Sequence, residues 1–512
     1  MNYAEVEEGI SIPLTSDFYF LTPEDMPGHK KIEKRAPATR WTPVAEDACF
    51  DPYSIRSVQG SELNAGWAHV DGLVEPFLVP EREGLGLTVP DAGSFSARRV
   101  ADIIGAETPV GVLDVATQEE LPGWTLGRWA EYHDASGAER RRMHRSGPLS
   151  VASLEFSSTP LSRHVCAPLV VRQIDWTTRG WPATLRARGF FPRGGHCCCM
   201  SGAGAFHDFR LSAGGASCWR HVLRGREVVL FVPPSDANLQ RYREWCESPS
   251  KDRRFFGDVS ETCHRVVVSE GQTLFLPCGW IYATFHPVDA LVFGGHFLHG
   301  HAADGQLIVH ELAGAQSLDT TNKPAEQLIA GPPAAFPLFR PMMFYAAAYT
   351  LVALRAEEER YNLQTRSCKG NDEEAEEAPE RLPILSTFEC AGMSALVGAC
   401  RKWHTEASRK KLKDGSVGGG EDDPATLAAS LCGFGSAFSG LRGQDAKNDG
   451  GPLAMFDELD VRVSLQTRLH GIAGGGSEKL EAVAVATTKR RQSTKTTKTK
   501  TKAARTTTMT WL

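Results

Sequence analysis

Between residue 49 and about residue 314, apolar and β-branched residues recur with a period of two, and glycine or proline turns interrupt them. The clearest runs cover residues 228–234, 265–280 and 289–300. This alternation is typical of strands that bury one face in an antiparallel barrel or sandwich. We therefore predict a mainly β fold with flanking helices.

Helical spacing appears between the first two of these runs. In residues 238–248, Leu239, Tyr242 and Trp245 fall three positions apart, which predicts a helix with one apolar face.

After about residue 325 the pattern becomes helical. Residues 341–354, PMMFYAAAYTLVAL, are apolar but shorter than the roughly 18 to 20 residues that a membrane span needs, so they predict a buried helix. Residues 383–412 and 452–469 each have the pattern of an amphipathic helix. We therefore expect a C-terminal helical region.

These patterns predict seven regions. They are a loose leader (1–45), an N-terminal helical and β support region (46–145), a barrel (146–315), a helical extension (316–365), an acidic linker (366–382), C-terminal helices (383–470) and a disordered basic tail (471–512).

Composition and charge limit the classes of function that the sequence supports. The 512 residues are 41% hydrophobic and 23% charged, enough for a large core and several domains. The formal net charge of −6 provides no global basic field for nucleic acid. The acidic N-terminus differs from a secretory signal, and no segment predicts a membrane span.

The basic tail and the cysteines leave alternatives open. The Lys- and Thr-rich tail suits a solvated disordered end, a nuclear-import signal or weak nucleic-acid contact. The thirteen cysteines are scattered except for the run 197–199, and none shows zinc-finger spacing. In a strand, neighbours in this run would point to opposite faces, so we expect buried thiols there.

Several motifs occur in the order found in one known family. They are LDVATQ (113–118), SLEFSSTPLS (153–162), QIDWTTRGWP (173–182), DFRLSAGGASCWRHVLRG (208–225) and GQTLFLPCGWIYATFHPVDALVFGGHFLH (271–299). Across roughly residues 50–310 the chain resembles the JmjC-domain histone lysine demethylases, in the branch with PHD-finger and F-box members.

The resemblance implies a double-stranded β-helix, the cupin-type barrel, with Fe(II) and 2-oxoglutarate in its mouth. The family hydroxylates the methyl group of a methylated histone lysine. Two imidazoles and a carboxylate hold the iron and leave three positions open. A lysine and a hydroxyl hold the far carboxylate of 2-oxoglutarate.

The iron positions carry unusual residues in this chain. The motif alignment places Arg210 and Ser212 at the first histidine and the aspartate, and Tyr282 at the remaining histidine. Arginine is a permanent cation without a lone pair for a metal. The neutral serine hydroxyl is a poor substitute for a carboxylate. We therefore expect these three residues not to bind iron in the usual way.

The residues at the cofactor and substrate positions also differ from those of the family. Glu227 aligns with the cofactor lysine, His207 with the threonine, and Arg220 with a tyrosine near the substrate. A carboxylate at the lysine position would repel 2-oxoglutarate. We expect that neither iron nor 2-oxoglutarate binds, and no catalytic residue can be assigned.

The paired charge changes suggest a specific contact. We hypothesise that Arg210 and Glu227 form an ion pair across the barrel, because an unpaired buried charge is costly. Alternatively both side chains reach solvent, and Arg220 or Arg226 could compete for the carboxylate.

A relocated metal site is also conceivable. Five histidines in the barrel region could supply its ligands: His196, His207, His286, His296 and His299.

Three functions are therefore compared. The first is a catalytically inactive, nuclear, chromatin-associated binding or regulatory module, with a histone tail or another chromatin protein as partner. The second is an active 2-oxoglutarate-dependent demethylase or hydroxylase with rearranged metal ligands. The third is a decaying copy without a selected function. Metal content separates the first two.

Overall fold

The computed structural model describes residues 55–249, 251, 254–312, 336–368, 383–413, 424 and 451–473. The chain divides into two compact units, one from residues 1–299 and 305–339, the other from residues 300–304 and 340–512. The predicted leader and nearly all of the predicted acidic linker and basic tail lie outside the described residues. The seven predicted boundaries stay predictions.

Within its described residues, the first unit contains thirteen strands. They are β1 (Arg56–Ser57), β2 (Phe77–Val79), β3 (Val112–Asp114), β4 (Glu119–Leu121), β5 (Leu149–Glu155), β6 (Cys197–Ser201), β7 (Ala205–Leu211), β8 (Ser217–Arg224), β9 (Arg226–Val232), β10 (His264–Ser269), β11 (Thr273–Leu276), β12 (Ile281–His286) and β13 (Ala290–Phe297).

These strands form a large and a small sheet. The large sheet has the order β1-β2-β11-β8-β13-β6-β5-β3-β4, and the small sheet has the order β10-β9-β12-β7. All pairings are antiparallel except that of β1 with β2. The mainly β fold with flanking helices, consistent with a JmjC cupin-type architecture, is therefore confirmed.

The two sheets share an apolar interior. Val222 and Leu274 of the large sheet join Val229 and Val268 of the small sheet in one buried cluster. The Cys197–Cys199 run lies in β6, where Cys199 belongs to this interior while Cys198 packs in the cluster on the opposite face. The prediction that neighbouring thiols are buried on opposite faces is confirmed.

Helices flank the sheets. Up to residue 312 they are α1 (Ala65–Asp71), α2 (Ala97–Ile104), α3 (Leu126–Asp134), α4 (Gly137–Met143), α5 (Leu169–Ile174), α6 (Trp176–Arg179), α7 (Ala183–Ala187), α8 (Asp236–Glu247), α9 (Phe256–Val259) and α10 (Ala303–Leu312). Helix α8 confirms the predicted helix, because Leu239, Tyr242 and Trp245 are buried against the outer face of the small sheet.

The second unit is helical. Its long helices are α11 (Phe339–Cys368), α12 (Thr387–Lys413) and α13 (Gly451–Ala473), which confirms the predicted C-terminal helices. At the start of α12, the Ser386 and Glu389 side chains each accept the other residue's backbone N–H, forming a capping box. Among the described helices, none is long and apolar enough to cross a membrane.

The turn between β8 and β9 places the site described below. Gly225 forms this turn with φ +85°, and a Cβ atom there would lie 2.2 Å from the carbonyl oxygen of Asp289. Gly271, between β10 and β11, has nearly the same φ of +84° but no atom within 4 Å of such a Cβ. A substitution at Gly271 therefore tests backbone strain alone, whereas a substitution at Gly225 tests backbone strain together with a steric conflict.

We expect Gly225→Ala to be clearly more destabilising than Gly271→Ala. Both substitutions force alanine into the left-handed region, which costs about 1 to 2 kcal/mol. Gly225→Ala also displaces the backbone at Asp289, which adds about 1 to 3 kcal/mol. Urea denaturation of both variants measures the difference, and equal losses would contradict the close approach at Gly225.

Candidate functional site

An irregularity in β7 turns two polar side chains into the barrel. Arg210 pairs with Tyr282 of β12, but the next register pair is His207 with Thr284, so β7 advances three residues while β12 advances two. Such a bulge changes the alternation of side chains along a strand. His207 and Arg210 therefore both face the interior, while Phe209 packs in the cluster outside the small sheet.

The Glu227 cluster, defined as Glu227, Arg220 and His286, forms the charged centre of this interior. Glu227 has no solvent exposure. Arg220 donates through Nε to Glu227 Oε2 at 2.9 Å and through its terminal nitrogen to Oε1. His286 Nε2 lies 3.1 Å from the same Oε1. The carboxylate thus has two cationic partners.

These contacts set the ionisation of the cluster. Burial alone raises the pKa of Glu227, but Arg220 and His286 hold it well below its usual range. Burial lowers the pKa of His286, yet the neighbouring Cys199 and Glu227 side chains outweigh it and raise this pKa to about 9. At neutral pH, Glu227 is a carboxylate between two cations.

The predicted ion pair between Arg210 and Glu227 is wrong. Glu227 pairs instead with Arg220, one of the two competitors considered, while Arg226 is exposed. The reason is topological, because β8 and β9 are joined by the single residue Gly225, whereas β12 separates Arg210 on β7 from Glu227 on β9.

Arg210 occupies a different part of the interior. Its guanidinium carbon lies 4.7 Å from the centroid of the Tyr282 ring, and the residue is only 8% exposed. Such a contact contributes about 0.5 to 2 kcal/mol. Removing a charge from water costs several kcal/mol. No carboxylate of the described residues forms an ion pair with Arg210, so the aromatic ring offsets only part of that cost.

The other two aligned residues are held by neutral partners. His207 Nδ1 lies 3.0 Å from Thr284 Oγ1, and Nε2 lies 2.8 Å from Ser150 Oγ. Burial and the nearby Arg210 lower the pKa of His207 well below its usual value, so the ring is neutral. Ser212 is buried, and its hydroxyl interacts with the Cys218 thiol.

A small cavity lies beside these groups. Its volume is about 40 Å³, and its walls include Arg210, Arg220, Tyr282 and His296. At about 10 to 15 Å³ for each water centre, it holds about three water molecules. A second cavity of about 250 Å³ also touches His296.

All six aligned residues therefore lie buried in the barrel, but they form separate groups. Sequence reasoning missed Ser150, Thr284 and the part played by His286. The signal for two of these was available, since Tyr282, Thr284 and His286 alternate along β12 and share a face.

Of the histidines proposed for a relocated metal site, His207 and His286 have ring centroids 5.4 Å apart, but each is engaged by other side chains. His299 Nε2 bonds to Ser217 Oγ at 2.8 Å, and His286 contacts Glu227. In the part of the chain that the structure describes, no group of three or more His, Cys, Asp or Glu side chains could hold a metal ion.

We expect Glu227→Gln to lower the free energy of unfolding by about 3 to 5 kcal/mol, because Arg220 keeps its buried charge without a counter-charge. Glu247→Gln is the control, since Glu247 forms an exposed pair with Arg243 and its loss costs less than about 1 kcal/mol. Urea denaturation at pH 7 measures both variants.

The double variant Glu227→Met with Arg220→Met removes both charges together. We expect it to recover most of the lost stability, because an apolar pair of similar volume often replaces a buried ion pair without loss. If Glu227→Gln proved as mild as Glu247→Gln, the ion pair would not be the charged centre of the barrel.

We expect the protonation of His296 on unfolding to account for part of the stability that the barrel loses in acid. Burial, together with Arg220 and Arg210, lowers the pKa of His296 from 6.5 to about 3. A folded-state pKa below the unfolded one gives stability that is present above pH 6.5 and is lost as the pH falls. Between pH 6.5 and pH 4 this loss amounts to about 3 kcal/mol.

Urea denaturation at both pH values should therefore show a smaller acid loss for His296→Gln than for the unsubstituted protein. The exposed His164→Gln serves as the control and should leave the acid loss unchanged. An identical loss in all three proteins would show that His296 is not protonated on unfolding in this range.

Part of the chain is similar in sequence to several known proteins. The chain is 35% identical over 268 residues to lysine-specific demethylase 2A of Xenopus tropicalis, covering 50% of this chain and 23% of the relative. It is 37% identical over 269 residues to JmjC domain-containing histone demethylation protein 1 of Yarrowia lipolytica, covering 51% of each. The same-named protein of Emericella nidulans is 39% identical over 215 residues, or 42% of this chain and 15% of the relative.

The matches span about half of the Yarrowia protein and less of the other two. No protein-family model matches the chain. The relatives' names agree with the family that the motif order indicates. Over about half of its length, the chain is therefore similar to proteins named as JmjC-domain histone demethylation proteins or lysine-specific demethylases.

Proposed function

We propose that this protein is a JmjC barrel without iron and 2-oxoglutarate chemistry, and that it acts as a chromatin-associated binding or regulatory module in the nucleus. The observation that carries the proposal is the Glu227 cluster, which places an internal ion pair where the family resemblance expects the cofactor lysine.

The residues at the iron positions do not fit Fe(II). Arg210 is a permanent cation stacked on the ring of Tyr282. A divalent ion beside this guanidinium would meet repulsion instead of a lone pair. Ser212 offers a neutral hydroxyl close to Cys218, so the carboxylate that normally offsets the charge of the metal is missing.

The residues at the cofactor position do not fit 2-oxoglutarate either. Arg220 and His286 already bind the carboxylate of Glu227, and a second carboxylate beside it would be repelled. The cavity of about 40 Å³ has room for about three water molecules, which is less than a five-carbon keto-diacid requires. Charge and volume therefore both argue against the cofactor.

The chromatin part of the proposal rests on the relatives. Their names describe demethylation of lysine or of histones, so a histone tail or another chromatin protein is the proposed partner. The basic C-terminal tail is proposed to add weak nucleic-acid contact, since its lysines can bind phosphates without sequence preference.

Restoring the iron ligands should restore metal binding. We expect the protein, purified without oxygen in the presence of Fe(II), to bind no stoichiometric iron and to release no succinate from 2-oxoglutarate. The triple variant Arg210→His, Ser212→Asp and Tyr282→His supplies two imidazoles and a carboxylate, and it should approach one iron per chain. Metal analysis and a succinate assay measure both proteins.

A surface variant with the same residue changes serves as the control. Arg128→His, Ser94→Asp and Tyr361→His alter residues outside the cavity, and this protein should bind no more iron than the unsubstituted one. Stoichiometric iron with succinate release by the unsubstituted protein would contradict the proposal and support the active enzyme with rearranged ligands. If neither histone-tail peptides nor nucleosomes bound the iron-free protein, the proposed partner would be wrong.

A further inference from the structure

We propose that the cavity beside Arg210 is a binding site for one small monovalent anion, of the size of chloride, nitrate or formate. Arg210 is the principal donor of this site, and Arg220 and His296 complete its walls.

The charge balance of the barrel interior motivates this assignment. The buried carboxylate of Glu227 is engaged by Arg220 and His286. Arg210 has no counter-charge among the described residues, and its nearest partner is the neutral ring of Tyr282. A buried cation in this position requires either an anion or retained water.

Two polar groups that line the cavity also lack hydrogen-bond partners among the described residues. No described residue accepts a hydrogen bond from the Arg210 guanidinium, although more than nine-tenths of this residue is buried. His296 lines the same cavity, and its Nδ1 has no hydrogen-bond partner among the described residues. Buried polar groups without partners are rare in native proteins, so the unpartnered ring nitrogen of His296 beside the unpaired Arg210 guanidinium points to a ligand.

The volume defines the size of this ligand. About 40 Å³ accommodates a halide or an anion of three or four heavy atoms together with one water, but not a dicarboxylate. Arg210, Arg220 and His296 all line the cavity, so a ligand in it can touch each of them. A lysine side chain in the same place would meet two guanidinium groups, so the site selects anions.

This inference rests on the proposed function, because it requires that iron does not occupy the barrel. The proposed anion site and the proposed loss of iron chemistry can fail separately. Iron content and succinate release test the loss of chemistry, whereas the anion is tested on metal-free protein with chelator present.

The test is thermal unfolding at constant ionic strength. The full chain is prepared in sodium gluconate, whose anion is too large for the cavity, and gluconate is replaced stepwise by chloride, nitrate or formate. We expect a saturable rise of the unfolding midpoint, by about 5 °C at a hundredfold excess over Kd. Arg210→Met should lose this rise. Arg128→Met should keep it, since Arg128 stacks on Trp124 outside the cavity.

A second measurement does not depend on the stability of the Arg210 variant. Chloride-35 NMR of the unsubstituted protein should show line broadening that formate reverses and gluconate does not. Equal stabilisation by gluconate, or an equal response of Arg210→Met and the unsubstituted protein, would overturn the site in favour of general salt effects. Absence of both the midpoint shift and the broadening would overturn it in favour of water around Arg210.

Discussion

A carboxylate without solvent exposure stays ionised only when cations replace the water it has lost, and Glu227 meets this condition through Arg220 and His286. The rest of the barrel interior depends on this cluster. Together with Cys199, Glu227 raises the pKa of His286, and His286 and Arg220 in turn lower the pKa of Cys199. Because Glu227 is already paired, Arg210 relies on an aromatic ring.

The family resemblance gives this arrangement a clear meaning. In the family, the interior charges are balanced by components that arrive from solution, namely iron and 2-oxoglutarate. In this chain, Glu227 provides a carboxylate and Arg210 provides a cation, and both are covalently part of the polypeptide. If the proposed function holds, the barrel reaches its folded state without depending on the supply of metal, oxygen or 2-oxoglutarate.

The sequence predicted the fold well where a single periodicity decides the structure. The strands around Val229 and Phe231, the apolar face of α8 and the alternating cysteines of β6 followed from periods of two and of about three and a half. The family motifs also identified six residues that are all buried in the barrel.

The contacts of the site were harder to predict because they depend on register and strand order. The bulge in β7 places His207 and Arg210 on one face although they are three positions apart, which no period of two would give. The separation of β7 from β9 by β12 then decides that Arg220, and not Arg210, reaches Glu227. Residues such as Ser150 join the site from a distant strand, and the sequence contains no local signal for that contact.

The single-residue turn at Gly225 has a further consequence for folding kinetics. Arg220 and Glu227 are only seven residues apart, so closing the loop between them costs little chain entropy compared with pairing distant strands. The two charges can therefore neutralise each other in an early, local step. The slower, long-range closure of β12 over the interior then buries a pair whose charge is already balanced, and not two isolated ions.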